Sequence, residues 1–358
     1  MHTRIPRKHN LALKPIVARL KKHWAPVVII VAALVITGLF LYGISQIERL
    51  SYNAVYSPKP RPQKVYSPLT GKQVANEAAT TLPVTAVMIE NSPDARPQSG
   101  LKEAGIVYEA VAEGGITRFI ALYQQEKPNL IGPVRSLRMY YLDWAAPYQA
   151  SIAHVGGSPN ALSEVRQNAY RDIDQFFNSG AYWRASDRYA PHNVYTNAER
   201  LTDLNTSKGY TTSTFEGFAR TDGKPAETAN ASSVTVNFSS ALYNTSYAYN
   251  KSTNSYARSI AGAPHNDREH GQISPDALVV MRVDAQSRGG ADGYEDIVTT
   301  GSGQVYVFQN GTVVEGTWKK TGRTSPLQLL GADSKPIELN RGQTWIGAIT
   351  GRGSVSWE

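Results

Sequence analysis

The chain has 358 residues, of which 41% are hydrophobic and 18% are charged, and it contains no cysteine. This composition fits one large globular domain or two ordinary ones and argues against extensive disorder. The absence of cysteine excludes disulfides, thiolate metal sites, iron–sulfur clusters, thiol nucleophiles and lipids attached through cysteine.

The positive charge is concentrated at the amino terminus. The net charge is +8 and the pI is near 9.4, which taken alone admits nucleic acid as a partner. Seven basic residues and no acidic residue precede Trp24, and removing these seven leaves 30 basic residues against 29 acidic ones. Because the rest of the chain is almost neutral, no nucleic-acid partner is expected.

An uncharged apolar run extends from Trp24 to Ile44. About 20 apolar residues in a helix span the hydrocarbon core of a bilayer, and Trp24 and Tyr42 lie where interfacial aromatic residues are common. A buried globular helix would keep a polar stripe, and a cleaved signal peptide would have an apolar region of about 7–15 residues followed by small residues. The length of the run and the lack of an Ala-x-Ala pattern favour an uncleaved transmembrane signal anchor at residues 24–44.

The charge asymmetry around this anchor predicts its orientation. Basic residues that flank a membrane span remain in the cytoplasm, so residues 1–23 are predicted to be a basic cytoplasmic segment and the body to be extracytoplasmic. Residues 45–67 include Pro58, Pro60 and Pro62 among polar residues, which favours an extended proline-rich stalk. The predicted localisation is therefore the cell membrane, with a single pass.

The first half of the body combines strands with helices. Residues 82–90, 106–112 and 116–123 have the apolar runs or the alternation that are typical of strands. A helix is predicted from residue 137, where apolar residues recur at helical spacing, and another from Pro159, which follows the potential N-cap Ser158. This pattern predicts a mixed α/β domain at residues 68–225.

The second half of the body is β-rich. Strands are predicted at residues 234–238, 243–249, 255–260, 277–283, 304–308, 313–318 and 343–349. Asn310 and Gly311 form a strong hairpin signal between two of them. A polar stretch places the domain boundary near residue 225, which leaves a β-rich domain at residues 226–358. The expected fold class is α+β, with one amino-terminal transmembrane helix.

Loops of the first half carry the most informative chemistry, because they are rich in arginine, histidine and glycine. The arginine side chain makes forked contacts with carboxylates and phosphates, so these loops predict a site for an anionic group if they converge. The alternative is that Arg–Glu pairs brace the edge of a sheet. The candidate ligand-binding residues are Asn91, Arg96, Arg118, Arg135, Arg138, His154, Gly156, Gly157, Arg184, Arg188 and His192.

Catalysis has weaker support. Glu90 and Glu113 would suit the acid/base pair of glycosidic chemistry, and His154 or His192 would suit a general base, but no Gly-x-Ser-x-Gly elbow is present. In the second half, His265, Asp267 and His270 offer donor atoms suited to a metal at no recognised spacing. A solvated loop is favoured there, so neither a metal site nor a cofactor is predicted.

Several motifs together resemble the YerB-like bacterial family, whose domains have no known function. In the first half they are residues 86–101, 107–109, 112–118, 132–138, 154–159 and 188–193; in the second half they are residues 254–258, 316–318 and 342–346. The resemblance covers nearly the whole body, from about residue 66 to residue 357.

This resemblance implies an envelope location but no reaction. The family is described as bacterial lipoproteins without an agreed activity, so it supplies no catalytic residues. The chain departs from the lipoprotein pattern because it has no cysteine to acylate, and a transmembrane anchor would give the same outer-face placement.

Two functions remain open at this point. One is the binding of a peptidoglycan carboxylate, a wall-polymer phosphate or an envelope partner. The other is a cell-wall hydrolase or transferase with a Glu/His acid–base site. The residue pattern favours binding.

Overall fold

The computed structural model describes residues 14–56, 64–167, 170–287 and 295–358. The chain divides into two compact units, Met1–Gln63 and Lys64–Glu358, which are described separately. We call the second unit the body.

The described residues of the first unit form one helix, α1, from Lys14 to Tyr56. Its segment Trp24–Tyr52 contains an 18-residue window with a mean hydropathy of 2.8 that is not buried, so the segment is long and apolar enough to cross a membrane. The helix continues past Ile44, where the sequence predicted a stalk, because residues 45–56 contain no proline or glycine to end it. The three stalk prolines lie outside the described residues, and strand β1, Val65–Tyr66, already belongs to the body.

The described part of the body contains three α-helices and 25 strands. The helices are α2 Met139–Ala145, α3 Pro159–Gln167 and α4 Ala198–Ser207. The strands of the first half after β1 are β2 Gln73–Val74, β3 Thr85–Glu90, β4 Ile106–Glu113, β5 Ile116–Tyr123, β6 Ser151–His154, β7 Arg171–Asp174, β8 Trp183–Arg184, β9 Val194–Tyr195 and β10 Arg220–Thr221. Those of the second half are β11 Ser233–Asn237, β12 Thr245–Asn250, β13 Ser255–Ile260, β14 Ala263–Pro264, β15 Asn266–Asp267, β16 Gly271–Gln272, β17 Ala277–Arg282, β18 Ala285–Ser287, β19 Glu295–Ile297, β20 Gly301–Gln309, β21 Thr312–Lys320, β22 Gln328–Leu330, β23 Leu339–Asn340, β24 Thr344–Ile349 and β25 Ser354–Trp357.

Ten strands from both halves of the body form one central sheet, in the order β22-β21-β20-β17-β24-β4-β5-β3-β6-β7. Strand β24 pairs in parallel with β17 on one side and with β4 on the other, so that Trp345 lies opposite both Leu278 and Val107. All six residues of β24 are buried, as expected for a strand covered on both faces. Because the sheet takes strands from either side of residue 225, the domain boundary there stays a prediction.

Each face of the central sheet carries its own apolar core. One face packs against α2 and α3, and its core includes Tyr108, Tyr141 and Trp144. The other face packs against a second sheet, of order β14-β13-β12-β11-β25, and its core includes Tyr247 and Trp345. The body thus has a helical layer, a ten-stranded layer and a five-stranded layer, and the predicted α+β class is confirmed.

Local sequence signals placed eight of the ten predicted strands within two residues of their observed bounds. The predicted strands at 106–112 and 116–123 correspond to β4 and β5, which form a hairpin. The turn between β20 and β21 has φ of 60° at Asn310 and 76° at Gly311, which matches the twist of a two-residue hairpin loop.

A buried ion pair connects the two sheets. Glu109 of β4 and Arg258 of β13 are both fully buried, with 2.7 Å between Oε2 and Nη2. Trp345 Nε1 and Thr117 Oγ1 also donate to the Glu109 carboxylate, at 2.9 and 3.1 Å. The Arg258 guanidinium lies over the Trp345 ring, 4.6 Å from its centroid. These contacts offset the desolvation of both charges, and removing either partner would leave the other charge buried without its counter-ion.

We expect Arg258→Met to lower the free energy of unfolding by about 3–5 kcal/mol, because it leaves the Glu109 carboxylate unpaired. Adding Glu109→Gln should restore at least half of this loss, since the amide oxygen still accepts from Trp345 without a buried charge. Denaturant unfolding of the full chain in detergent, followed by tryptophan fluorescence, measures both effects. A single variant within about 1 kcal/mol of wild type would contradict the role assigned to the pair.

Candidate functional site

Four strands from the first half of the body end at one edge of the central sheet, which we call the carboxyl edge. Strand β6 is parallel to β3 and to β7, and both β3 and β4 are antiparallel to β5, so β3, β4, β6 and β7 share one direction. Their last residues are Glu90, Glu113, His154 and Asp174. Ligands of open α/β sheets bind outside the carboxyl ends of strands, which makes this edge the candidate site.

The segment 134–137 lies between β3 and β6 at this edge, where the two strands have separated. The Arg135 N–H donates to the Met88 carbonyl oxygen at 2.9 Å, and the Arg135 carbonyl accepts from the Val155 N–H at 3.1 Å. Backbone hydrogen bonds to both strands therefore fix the position from which the Arg135 side chain reaches Glu90.

Glu90 orients a histidine that comes from a distant loop. The Glu90 side chain is 4% exposed, and its Oε2 lies 2.9 Å from His192 Nδ1. Ser92 Oγ donates to the other oxygen, Oε1, at 2.9 Å. Because a carboxylate accepts hydrogen bonds, His192 Nδ1 carries a proton, and in the neutral ring the lone pair is on Nε2. His192 is 22% exposed, and its Nε2 has no hydrogen-bond partner among the described residues.

The guanidinium of Arg135 is only partly engaged by the protein. Its Nε lies 3.3 Å from Glu90 Oε1, an ionic contact that lacks the alignment of a hydrogen bond. The side chain is 26% exposed, and neither Nη1 nor Nη2 has an acceptor in the described ranges. Since a guanidinium presents five N–H donors, most of those of Arg135 are available to a ligand.

Glu113 is held by two arginines. Its Oε1 lies 2.6 Å from Arg118 Nη2 and 2.8 Å from Arg138 Nη2, and Arg138 Nε donates to Oε2 at 3.1 Å. Burial raises the pKa of Glu113, but the charges and hydrogen bonds of both arginines lower it by more, so the pKa lies below its ordinary value. Glu113 is therefore ionised at neutral pH, whereas the general acid of a glycosidase needs a raised pKa.

His154 is enclosed by acceptors. Its side chain is fully buried, with Nδ1 2.7 Å from the Gly156 carbonyl oxygen and Nε2 3.1 Å from Asp172 Oδ1. Both ring nitrogens therefore donate, and neither has a lone pair for a substrate proton. Burial raises the pKa of Asp172, but the hydrogen bond and charge of His154 lower it by more. With an acceptor on each ring nitrogen, His154 has a structural role and does not suit a general base.

Gly156 and Gly157 are required by backbone packing. Gly156 has a φ of 59°, in the left-handed region that favours glycine, and its carbonyl accepts from the Leu137 N–H. A Cβ at Gly157 would lie 2.9 Å from the Leu137 carbonyl oxygen. The left-handed backbone explains Gly156, and the close approach of segment 134–137 explains Gly157, so neither glycine needs a ligand to account for it.

The arginines of the loop before His192 bind neighbouring loops. Arg188 Nη1 and Nη2 donate to the carbonyl oxygens of Asp94 and Pro97, at 3.1 and 2.6 Å. Arg184 Nη1 donates to Asn193 Oδ1 at 2.8 Å. The Arg188 contacts fasten the His192 loop to the turn that follows β3, and the Arg184 contact closes the loop on itself.

A chain of buried polar side chains lies beneath that turn. Asn91 Nδ2 donates to Thr117 Oγ1 at 2.6 Å, and Thr117 in turn donates to Glu109. Gln98 links Asn91 to His265, with distances of 3.0 Å from Gln98 Nε2 to Asn91 Oδ1 and 2.9 Å from Gln98 Oε1 to His265 Nε2. Asn91 is fully buried in this chain and does not face the open edge.

Arg96 also braces the turn after β3. Its Nε donates to Asn91 Oδ1 at 3.2 Å, and its Nη2 donates to the carbonyl oxygens of Asn91 and Leu242. The same guanidinium lies 5.4 Å from the centroid of the Tyr243 ring. Arg96 thus ties the turn to the loop between β11 and β12.

The histidines and aspartate of the second half lie in separate environments. Burial, and then the charges of nearby arginines, lower the pKa of His265 well below its ordinary value, so this ring is neutral. Asp267 accepts from the backbone N–H groups of Glu269 and His270. His270 pairs instead with Glu103, with 3.1 Å between Nε2 and Oε2. No group of three potential metal ligands occurs among the residues that the structure describes.

The structure therefore brings part of the predicted site together. Glu90, Glu113, Arg118, Arg135, Arg138, His154 and His192 lie along the carboxyl edge. The arginines do not line one pocket, because Arg118 and Arg138 neutralise Glu113 while Arg96, Arg184 and Arg188 brace loops. The sequence interpretation missed Ser92 and Asp172, although Asp172 stands two residues before Asp174 in an acidic, alternating strand that could have indicated a histidine partner.

Two open clefts lie at the opposite, amino edge of the central sheet. One, of about 450 Å³, is lined by residues that include Lys72, Lys102, Glu103 and His270. The other, of about 770 Å³, is lined by residues that include Glu164, Arg171 and Arg323. Lys102 donates to the His270 carbonyl oxygen, and Arg323 pairs with Glu164 at 2.9 Å, so one cation in each cleft already has a partner.

Two family models cover most of the body. Residues 69–211 match the model described as "Protein of unknown function (DUF3048) N-terminal domain", and residues 234–346 match the corresponding C-terminal domain. The chain belongs to the DUF3048 family. The resemblance drawn from the sequence motifs is thereby confirmed.

One DUF3048 relative is known by sequence and by structure. The chain is 34% identical over 294 residues to "Putative lipoprotein YerB" of Bacillus subtilis (strain 168), which covers 80% of this chain and 87% of the relative. The crystal structure of the YerB protein from Bacillus subtilis matches with a TM-score of 0.72 at 30% identity, over 82% of this chain and all of that one. Neither description assigns an activity, so function must be inferred from the site itself.

We expect Glu113→Gln to make folding less sensitive to acid. The folded pKa of Glu113 is lowered, so its contribution to stability is fully present above the unfolded pKa, ordinarily 4.5, and is lost as the pH falls through the folded value. Urea unfolding near pH 7 and near pH 3 should therefore show a smaller loss of unfolding free energy in Glu113→Gln than in wild type. The exposed Glu315→Gln is the control, and equal losses in all three proteins would contradict the pairing.

Proposed function

We propose that this protein is a single-pass, membrane-anchored envelope protein whose extracytoplasmic body binds an anionic group at the carboxyl edge. The ligand belongs to a cell-wall component or to an envelope partner. The observation that carries the proposal is the Arg135 guanidinium, which is fixed beside the buried Glu90 and has both terminal nitrogens without an acceptor in the described part of the chain.

Membrane anchoring is supported by the helix and by the family. The segment Trp24–Tyr52 is uncharged except for Glu48 and Arg49 near its end, and it is long enough to cross a bilayer. The relative YerB is named as a lipoprotein, a class held at a membrane surface by lipid. In a chain without cysteine, a transmembrane helix would replace that lipid. The basic residues before Trp24 favour a cytoplasmic amino terminus.

Anion binding is supported by the balance of charges at the carboxyl edge. Glu113 is compensated by two arginines, whereas Glu90 accepts a hydrogen bond from His192 and is compensated by Arg135, which uses one of its nitrogens for this contact. The remaining Arg135 donors can form a forked, charge-assisted contact with a phosphate or carboxylate.

A glycosidase-type pair of Glu90 and Glu113 is disfavoured by the same contacts. Glu113 is held by two arginines, Glu90 contacts Arg135 and accepts from His192, and the lowered pKa of Glu113 removes the proton that a general acid would donate.

The orientation in the membrane can be tested with single cysteines, because the natural chain has none. We expect Thr228→Cys, at an exposed position of the body, to react with a membrane-impermeant maleimide on intact cells. Thr3→Cys should react only after the cells are lysed, because the amino terminus is cytoplasmic. Labelling of Thr3→Cys on intact cells, or protection of Thr228→Cys, would reverse the proposed topology.

The anion site can be tested with wall material of two chemistries. We expect Arg135→Gln to weaken binding of the full chain to cell-wall sacculi at least about tenfold, as befits the loss of a charge-assisted contact. Co-sedimentation measures the dissociation constant. Sacculi stripped of phosphate polymers distinguish the sources, since retained affinity indicates carboxylates and lost affinity indicates phosphates.

Arg200→Gln is the matched control, because Arg200 is an exposed arginine of α4 that stacks on Trp183 at 4.8 Å. This substitution removes the same charge from a residue outside the Arg135–Glu90–His192 cluster. The variant should therefore bind as the wild type does. Equal weakening by both substitutions, or no weakening by Arg135→Gln, would overturn the site.

A further inference from the structure

We propose that the Glu90–His192 pair is a proton-transfer site, and that its substrate is a phosphodiester held by Arg135. This inference rests on the anion site of the proposed function and adds a reaction to it. Its starting point is His192 Nε2, which has no hydrogen-bond partner among the described residues. Anion binding by Arg135 does not require this atom.

The histidine has the geometry of an oriented general base. Its Nδ1 donates to Glu90 Oε2 at 2.9 Å, which fixes the ring and the tautomer, so the lone pair of the neutral ring is on the partly exposed Nε2. Glu90 is itself held in place, because Ser92 donates to its Oε1. A buried carboxylate that holds the inner nitrogen of a histidine also stabilises the imidazolium that forms when the outer nitrogen takes a proton.

The other histidines of the body lack this arrangement. Both nitrogens of His154 are bonded and buried, and His265 is fully enclosed. His270 is exposed and also pairs with a glutamate, but it does so through Nε2, and Glu103 lies at the amino edge. His270 is therefore a natural matched control.

The position of Arg135 selects the class of substrate. Arg135 and His192 contact the two oxygens of one carboxylate, and the proposal places an anion on the free nitrogens of Arg135 beside the imidazole ring. A carboxylate bound by Arg135 is not attacked by water. A phosphodiester, in contrast, carries the negative charge that Arg135 binds and also the phosphorus atom that water attacks. Arg135 would hold its oxygens and stabilise the charge that develops on them.

The reaction that follows is a hydrolysis. A water molecule attacks phosphorus, and His192 Nε2 takes one of its protons as the new P–O bond forms. The ester P–O bond breaks, and the imidazolium returns the proton to the leaving oxygen. The products are a phosphomonoester and an alcohol, and the step needs no oxidant, reductant or other co-reactant.

The test uses the full chain in detergent with two phosphodiester probes, poly(glycerol phosphate) and bis(4-nitrophenyl) phosphate. We expect turnover in proportion to protein concentration, and a loss of about 100-fold or more in His192→Gln, as is typical for removal of a general base. His270→Gln should keep wild-type activity. Glu90→Gln preserves an acceptor for Nδ1 but removes the charge, so it should lower kcat while KM stays nearly unchanged.

Binding of poly(glycerol phosphate) is measured in parallel to separate the two proposals. A wild-type protein that binds this polymer through Arg135 but cleaves neither probe would overturn the reaction and leave the binding function standing. Equal activity of His192→Gln and wild type would also overturn it. So would a defect of His192→Gln that lies in polymer binding and not in the turnover of bound polymer. Because His192 is partly exposed, its replacement leaves the apolar cores intact, and thermal unfolding checks that the variant is folded.

Discussion

The buried contact between Glu109 and Arg258 is the constraint on which the body depends. It joins the central sheet to the five-stranded sheet in a region without solvent, where an unpaired charge would be strongly destabilising. Through Thr117 the same carboxylate reaches Asn91, the residue that follows Glu90. A chain of hydrogen bonds thus connects the ion pair between the two sheets to the turn at the carboxyl edge, and it holds the residue next to Glu90 in place.

Local patterns in the sequence were sufficient to predict strands, but not the sheet they form. The run from Ile106 to Ala112 and the Asn310-Gly311 turn depend on neighbouring residues alone, and both were predicted correctly. Strand β24 lies between β17 and β4, and β4 is more than two hundred residues away in the sequence. Local periodicity does not predict such a pairing. The uniformly apolar Thr344–Ile349 indicated a buried strand without indicating its neighbours.

The site was predicted as a set of residue types, and the structure separates their roles. Arg135 and Arg138 occupy one short motif, yet Arg138 neutralises Glu113 while Arg135 keeps free donors. His154 and His192 are both candidate ligand-binding residues in the sequence, yet Asp172 encloses the first. These roles depend on which side chains lie within contact distance of each other in the folded protein. The sequence alone does not give those distances. Glu109, inside an apolar run, did carry a sequence signal, because a lone charge there implies a buried counter-charge.

The most direct test of the central claim is to locate the anion on the folded chain. Hydrogen–deuterium exchange of the full protein, with and without poly(glycerol phosphate), reports which backbone segments a ligand protects. We expect the ligand to protect peptides that span residues 88–92, 134–138 and 188–193 from exchange. Protection confined to residues 70–74 and 102–105 at the amino edge, or protection nowhere, would contradict it.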